Sequence, residues 1–210
     1  MITKLFIDFD GTLFDTAKLR DATFVVLGKA GFDRSEILSV YQAECLDYKF
    51  SITGFLERFT KIRPYNRSLA DVRINNLYES IAADFLYPDA VEFLKNLDHN
   101  KYEVDLLSMG DLEFQKLKVK HSGLAEYFDN LFFTDIQKWD YMKNFVDKNE
   151  RFVIIDDRSD TVHKISENFP KSLCLELDRK GEDKYDPARN GQLFNNISAK
   201  NLKQAAMYLD

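Results

Sequence analysis

Residues 4–14 read Lys4-Leu5-Phe6-Ile7-Asp8-Phe9-Asp10-Gly11-Thr12-Leu13-Phe14. Leu5, Phe6 and Ile7 form a short continuous apolar run, the mark of a strand covered on both faces in a parallel sheet. The run stops at Asp8. Side chains alternate along a strand, so Asp8 and Asp10 are expected on one side, where the strand leaves the sheet. Gly11 frees the backbone for a sharp turn, and Thr12 adds a hydroxyl beside the two acids. Two carboxylates this close repel, so a metal cation or a shared proton is expected to hold them together.

Helical patterns follow. Ser35–Tyr48 carries Ile37, Leu38, Val40 and Tyr41 on one face, and Phe55, Leu56, Phe59 and Ile62 repeat at helical spacing until Pro64 stops them. Ser68–Asp71 fits a capping box, with Ile74, Leu77, Tyr78, Ile81 and Phe85 behind it, and Pro88 opens another helix with Val91, Leu94 and Leu97 inward. From Tyr102 the pattern changes. Strand-like runs at Tyr102–Leu107, Asn130–Phe133, Phe152–Ile155 and Leu173–Leu177 alternate with helical stretches at Asp111–His121, Lys138–Val146 and Arg158–Asn168. This predicts an α/β fold with a parallel sheet and crossover helices. Asp178–Gln192, rich in charge, Gly and Pro, reads as a loop, and Ser198–Leu209 as a closing helix.

A βαβ unit takes a little over ~30 residues, whereas the first two strands lie roughly 100 apart. The helical block is therefore expected as an insertion after the first strand. Loops at the carboxyl ends of parallel strands surround the ligand site, so the block should sit over the acidic turn as a lid.

A second acidic cluster, Asp156-Asp157-Arg158-Ser159-Asp160, ends the strand Phe152–Ile155. If the two strands are neighbours, Asp8, Asp10, Asp156 and Asp157 converge, and hard oxygen ligands without His or Cys select Mg²⁺ over Zn²⁺. The strand Val104–Leu107 ends in Ser108-Met109-Gly110-Asp111, and a serine there, followed by Gly and a helix start, can present its hydroxyl and backbone N–H groups to a phosphate. A cation facing an anionic substrate comes from Lys138 or Lys118. Lys138 is preferred, because Lys116, Lys118 and Lys120 read as a solvated face. Arg20, Lys49 and Arg58 read as solvated too, and the many aromatic residues (18 Phe, 10 Tyr) as packing.

Composition narrows the classes. Hydrophobic content of 45% with 30% charged residues is that of a globular protein with a full core. A net charge of −6 advertises neither nucleic-acid nor anionic-membrane binding, and no run is long enough to span a bilayer. Cys45 and Cys174 match no zinc or disulfide pattern and are expected reduced. A cytoplasmic enzyme is expected.

Asp8-Phe9-Asp10-Gly11-Thr12, Ser108, a lysine, and Asp156-Asp157 after an apolar strand, in that order, resemble the four motifs of the haloacid dehalogenase superfamily. Tyr87-Pro88-Asp89-Ala90 and Ser122-Gly123-Leu124 strengthen the resemblance. It implies a Rossmann-like core formed by residues 1–14 and 88–210, with an all-helical cap at 15–87 and Mg²⁺-dependent phosphoryl transfer. Asp8 would be the nucleophile and form an aspartyl-phosphate. Asp10 would protonate the leaving group and then activate water. Thr12, Ser108, Met109 and Lys138 would hold the phosphoryl group, and Asp8, Asp10, Asp157 and Asp156 the metal. Asp157 matches the usual direct ligand. Asp10 also favours the phosphatase branch over a dehalogenase, since a departing halide needs no proton. The expected substrate is a small phosphorylated metabolite. The Asp-Asp-Arg triplet, which resembles polynucleotide phosphatases, leaves a nucleotide open; a phosphomutase is the rival enzyme and a receiver-like signalling domain the rival of another class.

Overall fold

The computed structural model describes residues 2–45, 50, 52–62, 64–66, 73–74, 82–179 and 196–209. Six parallel strands form one sheet: β1 (Thr3–Ile7), β2 (Tyr102–Met109), β3 (Asn130–Thr134), β4 (Phe152–Asp156), β5 (Leu173–Leu177) and β6 (Ile197–Ala199). Their order is β3-β2-β1-β4-β5-β6. The order reverses between β1 and β4, and ligands bind at the carboxyl ends of strands at such a reversal. The α/β architecture read from the strand–helix alternation is the one observed.

Alternation along the strands distributes the core. Leu5 and Ile7 of β1, with Val153 and Ile155 of β4, belong to a large hydrophobic cluster on one face. Phe6, Phe152 and Ile154 belong to a second cluster on the other. The first face is covered by α5 (Leu112–Ser122) and α8 (Leu202–Ala206) through Phe114, Val119, Leu202 and Ala205. The second is covered by α6 (Lys138–Met142) and α7 (Ser159–Asn168) through Met142, Val162 and Ile165.

The helical block comprises α1 (Thr16–Lys29), α2 (Arg34–Cys45) and α3 (Ile52–Ile62), followed by a 3₁₀ turn at Ala82–Phe85; α4 (Ala90–Lys95) comes next. The capping box at Ser68–Asp71 and the positions of Leu77, Tyr78 and Ile81 lie outside the described residues; Ile74 is buried in the larger cluster. The chain leaves the sheet at Leu13–Asp15 and returns at Phe85–Tyr87. These two crossings bond to each other: Asp15 N–H donates to the Phe85 carbonyl at 2.7 Å and Tyr87 N–H to that of Leu13 at 3.0 Å.

Three local readings change. The Lys138 helix ends at Met142 rather than Val146 and continues as turns. The closing segment is not one helix, because Ile197–Ala199 pairs with β5 before α8 begins at the Asn201 cap. This edge strand buries only Ala199 and has no apolar run to announce it. Third, Asp10 lies beyond the strand, so alternation does not govern its direction. Elsewhere, Cys174 is a buried free thiol, pushed up to about 11 by burial.

Asp105 on β2 is a buried carboxyl whose Oδ1 accepts from Asn130 Nδ2 at 2.8 Å. Burial, opposed by that hydrogen bond, raises it to about 6. The folded pKa exceeds that of an unfolded aspartate, so the native state binds the extra proton. Stability therefore falls as pH rises through about 4 to 6, and the penalty is complete above. Asp105→Asn, which keeps the acceptor, is expected to raise Tm by a few degrees at pH 8 and by nothing at pH 4. Thermal melts at the two pH values check this; an equal shift at both refutes the ionisation argument.

Candidate active site

Asp8 follows β1 directly, and its N–H donates to the Ile155 carbonyl at 2.9 Å, which continues the β1–β4 ladder by one residue. Alternation then puts Asp8 on the Phe6 face and Asp156, the last residue of β4, on the Ile154 face. These are the same face. Lys138, at the start of α6 on that side, bridges them: its ammonium donates to Asp8 Oδ1 and, at 2.6 Å, to Asp156 Oδ2. All three side chains are buried. Burial alone would lower the pKa of Lys138, but the Asp156 and Asp8 carboxylates override it and hold the ammonium charged, above the usual lysine range. Burial, against the pull of Lys138 and aided by Asp156, pushes the Asp8 carboxyl up to about 7.

Asp157 joins this group. Carboxylate oxygens of Asp8, Asp156 and Asp157 all lie within 4.8 Å of one another. Three clustered hard oxygen donors fit a magnesium-sized cation. Gly11 is part of the fit: its φ is +75°, and a Cβ there would collide with the Asp157 carboxylate. Thr12 Oγ1 lies 3.4 Å from Asp8 Oδ2.

Asp10 does not join the cluster. Its carboxylate turns instead to Lys118 of α5 and to Thr16 Oγ1, which donates at 2.6 Å. The expectation that the Asp8 and Asp10 side chains share one side is thereby corrected. Phe9 packs into the larger cluster, the turn rotates Asp10 away, and each acid acquires its own lysine from a helix on a different face of the sheet. Burial would raise the Asp10 carboxyl, but Lys118 prevails and keeps it below the ordinary range.

Lys118 is the second correction. It is not on a solvated face: it is 2% exposed, with its ammonium 4.9 Å from the Phe114 ring centre, while Lys116 and Lys120 are exposed. Arg20 is likewise half-buried, against Asp21 and the rings of Phe24 and Tyr41, whereas Arg58 pairs with Glu44 near the surface; Lys49 lies outside the described residues.

Ser108 and Met109 sit at the end of β2, next to β1. The Ser108 hydroxyl is buried and bonds Gln115 Oε1 at 3.1 Å, while Gln115 Nε2 donates to the Met109 carbonyl at 3.2 Å. Sequence reasoning did not single out Gln115, Thr16 or Arg179. Arg179 Nη2 donates to the Thr12 carbonyl at 2.8 Å and to Asp89 Oδ1 at 2.9 Å, and its guanidinium lies 3.8 Å from the Tyr87 ring centre. Asp89 also accepts from Leu202 N–H at 2.9 Å. One arginine thus fastens the acidic turn to the returning crossing. Only the Tyr87-Pro88-Asp89 stretch hinted at this.

Asp10, Lys118, Met109 and Gly110 open onto a cavity of about 150 Å³ between the helical block and α5.

A family model described as haloacid dehalogenase-like hydrolase matches residues 4–155, which include every acid and lysine of this site except Asp156 and Asp157. No curated protein matches the chain. Among solved structures, a haloacid dehalogenase-like hydrolase from Burkholderia xenovorans superposes with a TM-score of 0.74 at 18% identity, covering 96% of each chain. L-2-haloacid dehalogenase from Xanthobacter autotrophicus does so with 0.67 at 18%, covering 100% of this chain and 98% of its own. A magnesium-bound hydrolase from Bacillus subtilis gives 0.66 at 12%, covering 100% and 99%. At these identities the likeness is one of fold.

Proposed function

The chain belongs to the haloacid dehalogenase-like hydrolases, and from that premise we propose that it is a Mg²⁺-dependent phosphatase that hydrolyses a small phosphomonoester through an aspartyl-phosphate. The observation that carries the reading is Asp10, a second carboxylate two residues past the nucleophile, turned to the cavity and paired with Lys118. An ester's leaving oxygen needs a proton, whereas a halide does not.

Asp8 attacks phosphorus in line, and Lys138 and Thr12 fix its carboxylate for the approach. The transferable proton is the one held in the hydrogen bond between Lys118 and Asp10. It passes through the Asp10 carboxyl to the leaving alkoxide and is restored by the water that later attacks the aspartyl-phosphate. Ser108 and the Met109–Gly110 backbone border the phosphoryl site. Asp8, Asp156 and Asp157 would hold Mg²⁺, which supplies neutralising charge and polarises the phosphoryl oxygens. The magnesium in the Bacillus subtilis relative supports this reading.

We further assign residues 15–87 as a cap over a core of 1–14 and 88–210. The paired crossings at Leu13–Asp15 and Phe85–Tyr87 support this division. Closure of the cap over the cavity would exclude bulk water and favour small substrates over proteins or nucleic acid.

The second reading is a dehalogenase, favoured by the L-2-haloacid dehalogenase of the same fold and by the apolar cavity wall. The same preparation separates the two. Phosphate release from p-nitrophenyl phosphate should exceed chloride release from L-2-chloropropionate, and chelation should lower it on the order of a hundredfold until Mg²⁺ is returned. Chloride release alone, or full phosphatase activity in excess chelator, overturns the proposal.

A further inference from the structure

Resting on the phosphatase reading, we propose that the substrate is the phosphate ester of a small aromatic alcohol, with its ring housed in the cavity beside Asp10 and Lys118. Among the described residues of the wall, Phe24, Tyr41, Phe50, Phe55 and Phe114 form a connected run of rings. Phe24 and Tyr41 meet edge to face at 5.5 Å, and Tyr41 meets Phe55 at 6.1 Å. Phe50 lies 5.3 Å from Phe55 and 5.6 Å from Phe114, joining the helical block to the core helix. Edge and tilted contacts of this kind are the ones a further ring can extend.

Several polar side chains in the wall are bonded to the protein. Thr16 and Lys118 both donate to Asp10. The Thr23 hydroxyl donates to the Leu19 carbonyl at 2.9 Å, and Arg20 bonds Asp21 through Nε at 3.0 Å and Nη2 at 2.9 Å. Gln115 is held by Ser108 and the Met109 carbonyl. Among the described residues, the wall therefore offers rings to a leaving group, while Thr16, Thr23, Gln115 and one edge of Arg20 are engaged within the protein. A sugar, polyol or nucleoside entering here would strip water from several hydroxyls and set them against rings. Size agrees: an apolar cavity of about 150 Å³ is known to take a benzene ring, and this one has about that volume.

The test compares benzyl phosphate with glycerol 1-phosphate and adenosine 5′-monophosphate on the full chain with Mg²⁺. All three release a primary alkoxide, so leaving-group acidity does not separate them. The benzyl ester should lead by about a hundredfold in kcat/KM, the discrimination expected when one substrate's polar groups are left unpaired. Thr23→Met, which fills part of the cavity, should cut the benzyl-to-glycerol ratio about tenfold. Should that variant not fold, competitive inhibition of the wild type decides, with phenylphosphonate expected to bind at least about tenfold tighter than methylphosphonate. Equal or better use of the glycerol or adenosine ester, or equal inhibition by the two phosphonates, overturns the substrate class and leaves the phosphatase reading standing. Hydrolysis of no ester at all overturns both.

Discussion

Asp8→Asn is expected to fold like the wild type and to lose more than about 10⁴-fold in kcat, the scale of loss when a covalent nucleophile is removed. The substitution keeps the shape of the side chain and an oxygen for the Lys138 ammonium, and the backbone bond to Ile155 is untouched. It removes the negative charge that attacks phosphorus. It also removes a buried carboxylate whose ionisation burial and Asp156 oppose, while Asp156 remains to pair Lys138. Stability should therefore hold or rise, and a thermal melt separates lost chemistry from lost structure. Near-wild-type turnover by a folded Asp8→Asn protein would rule out the aspartyl-phosphate.

Lys138→Ala should cost roughly 10³-fold in kcat, and Lys118→Ala roughly 10²-fold. Lys138 touches Asp8 itself and Asp156, so its loss strips charge from the nucleophile and leaves two buried acids without their cation. Among the described residues, Lys118 pairs with one acid, Asp10, on the leaving-group side. Without it the Asp10 carboxyl loses the charge that keeps it ionised, so the pH profile of Lys118→Ala should move alkaline while that of Lys138→Ala falls at every pH. Both variants are measured at saturating Mg²⁺ and substrate, with thermal melts for folding. A larger loss in Lys118→Ala would make it the lysine that serves the phosphoryl group.

How much of this was legible in the sequence depended on range. The apolar triplet Leu5–Ile7 and the acids at the ends of β1 and β4 are local patterns, and the sheet follows from their alternation with helices. Asp8 and Asp156 could be expected to meet once the strands were taken as neighbours. The three-residue β6 could not be expected, because an edge strand with one buried side chain has no run or alternation long enough to read.

The lysines show where local reading stops. Lys116, Lys118 and Lys120 look alike in a charged run, yet a helix turns through about 100° per residue, and only Lys118 faces inward. Arg179 lies 167 positions from the Thr12 carbonyl it holds, and the aromatic wall draws on three helices of the block and one of the core. By itself, then, the sequence determined the α/β sheet, its acidic carboxyl edge and the chemical type of each site residue, because these rest on strand alternation and helix period within a few positions. Only the tertiary structure decided that Lys138 serves Asp8, that Lys118 serves Asp10, and that the cavity presents rings: the paired side chains lie 108 and 130 positions apart in the chain, and no short-range pattern encodes such pairings.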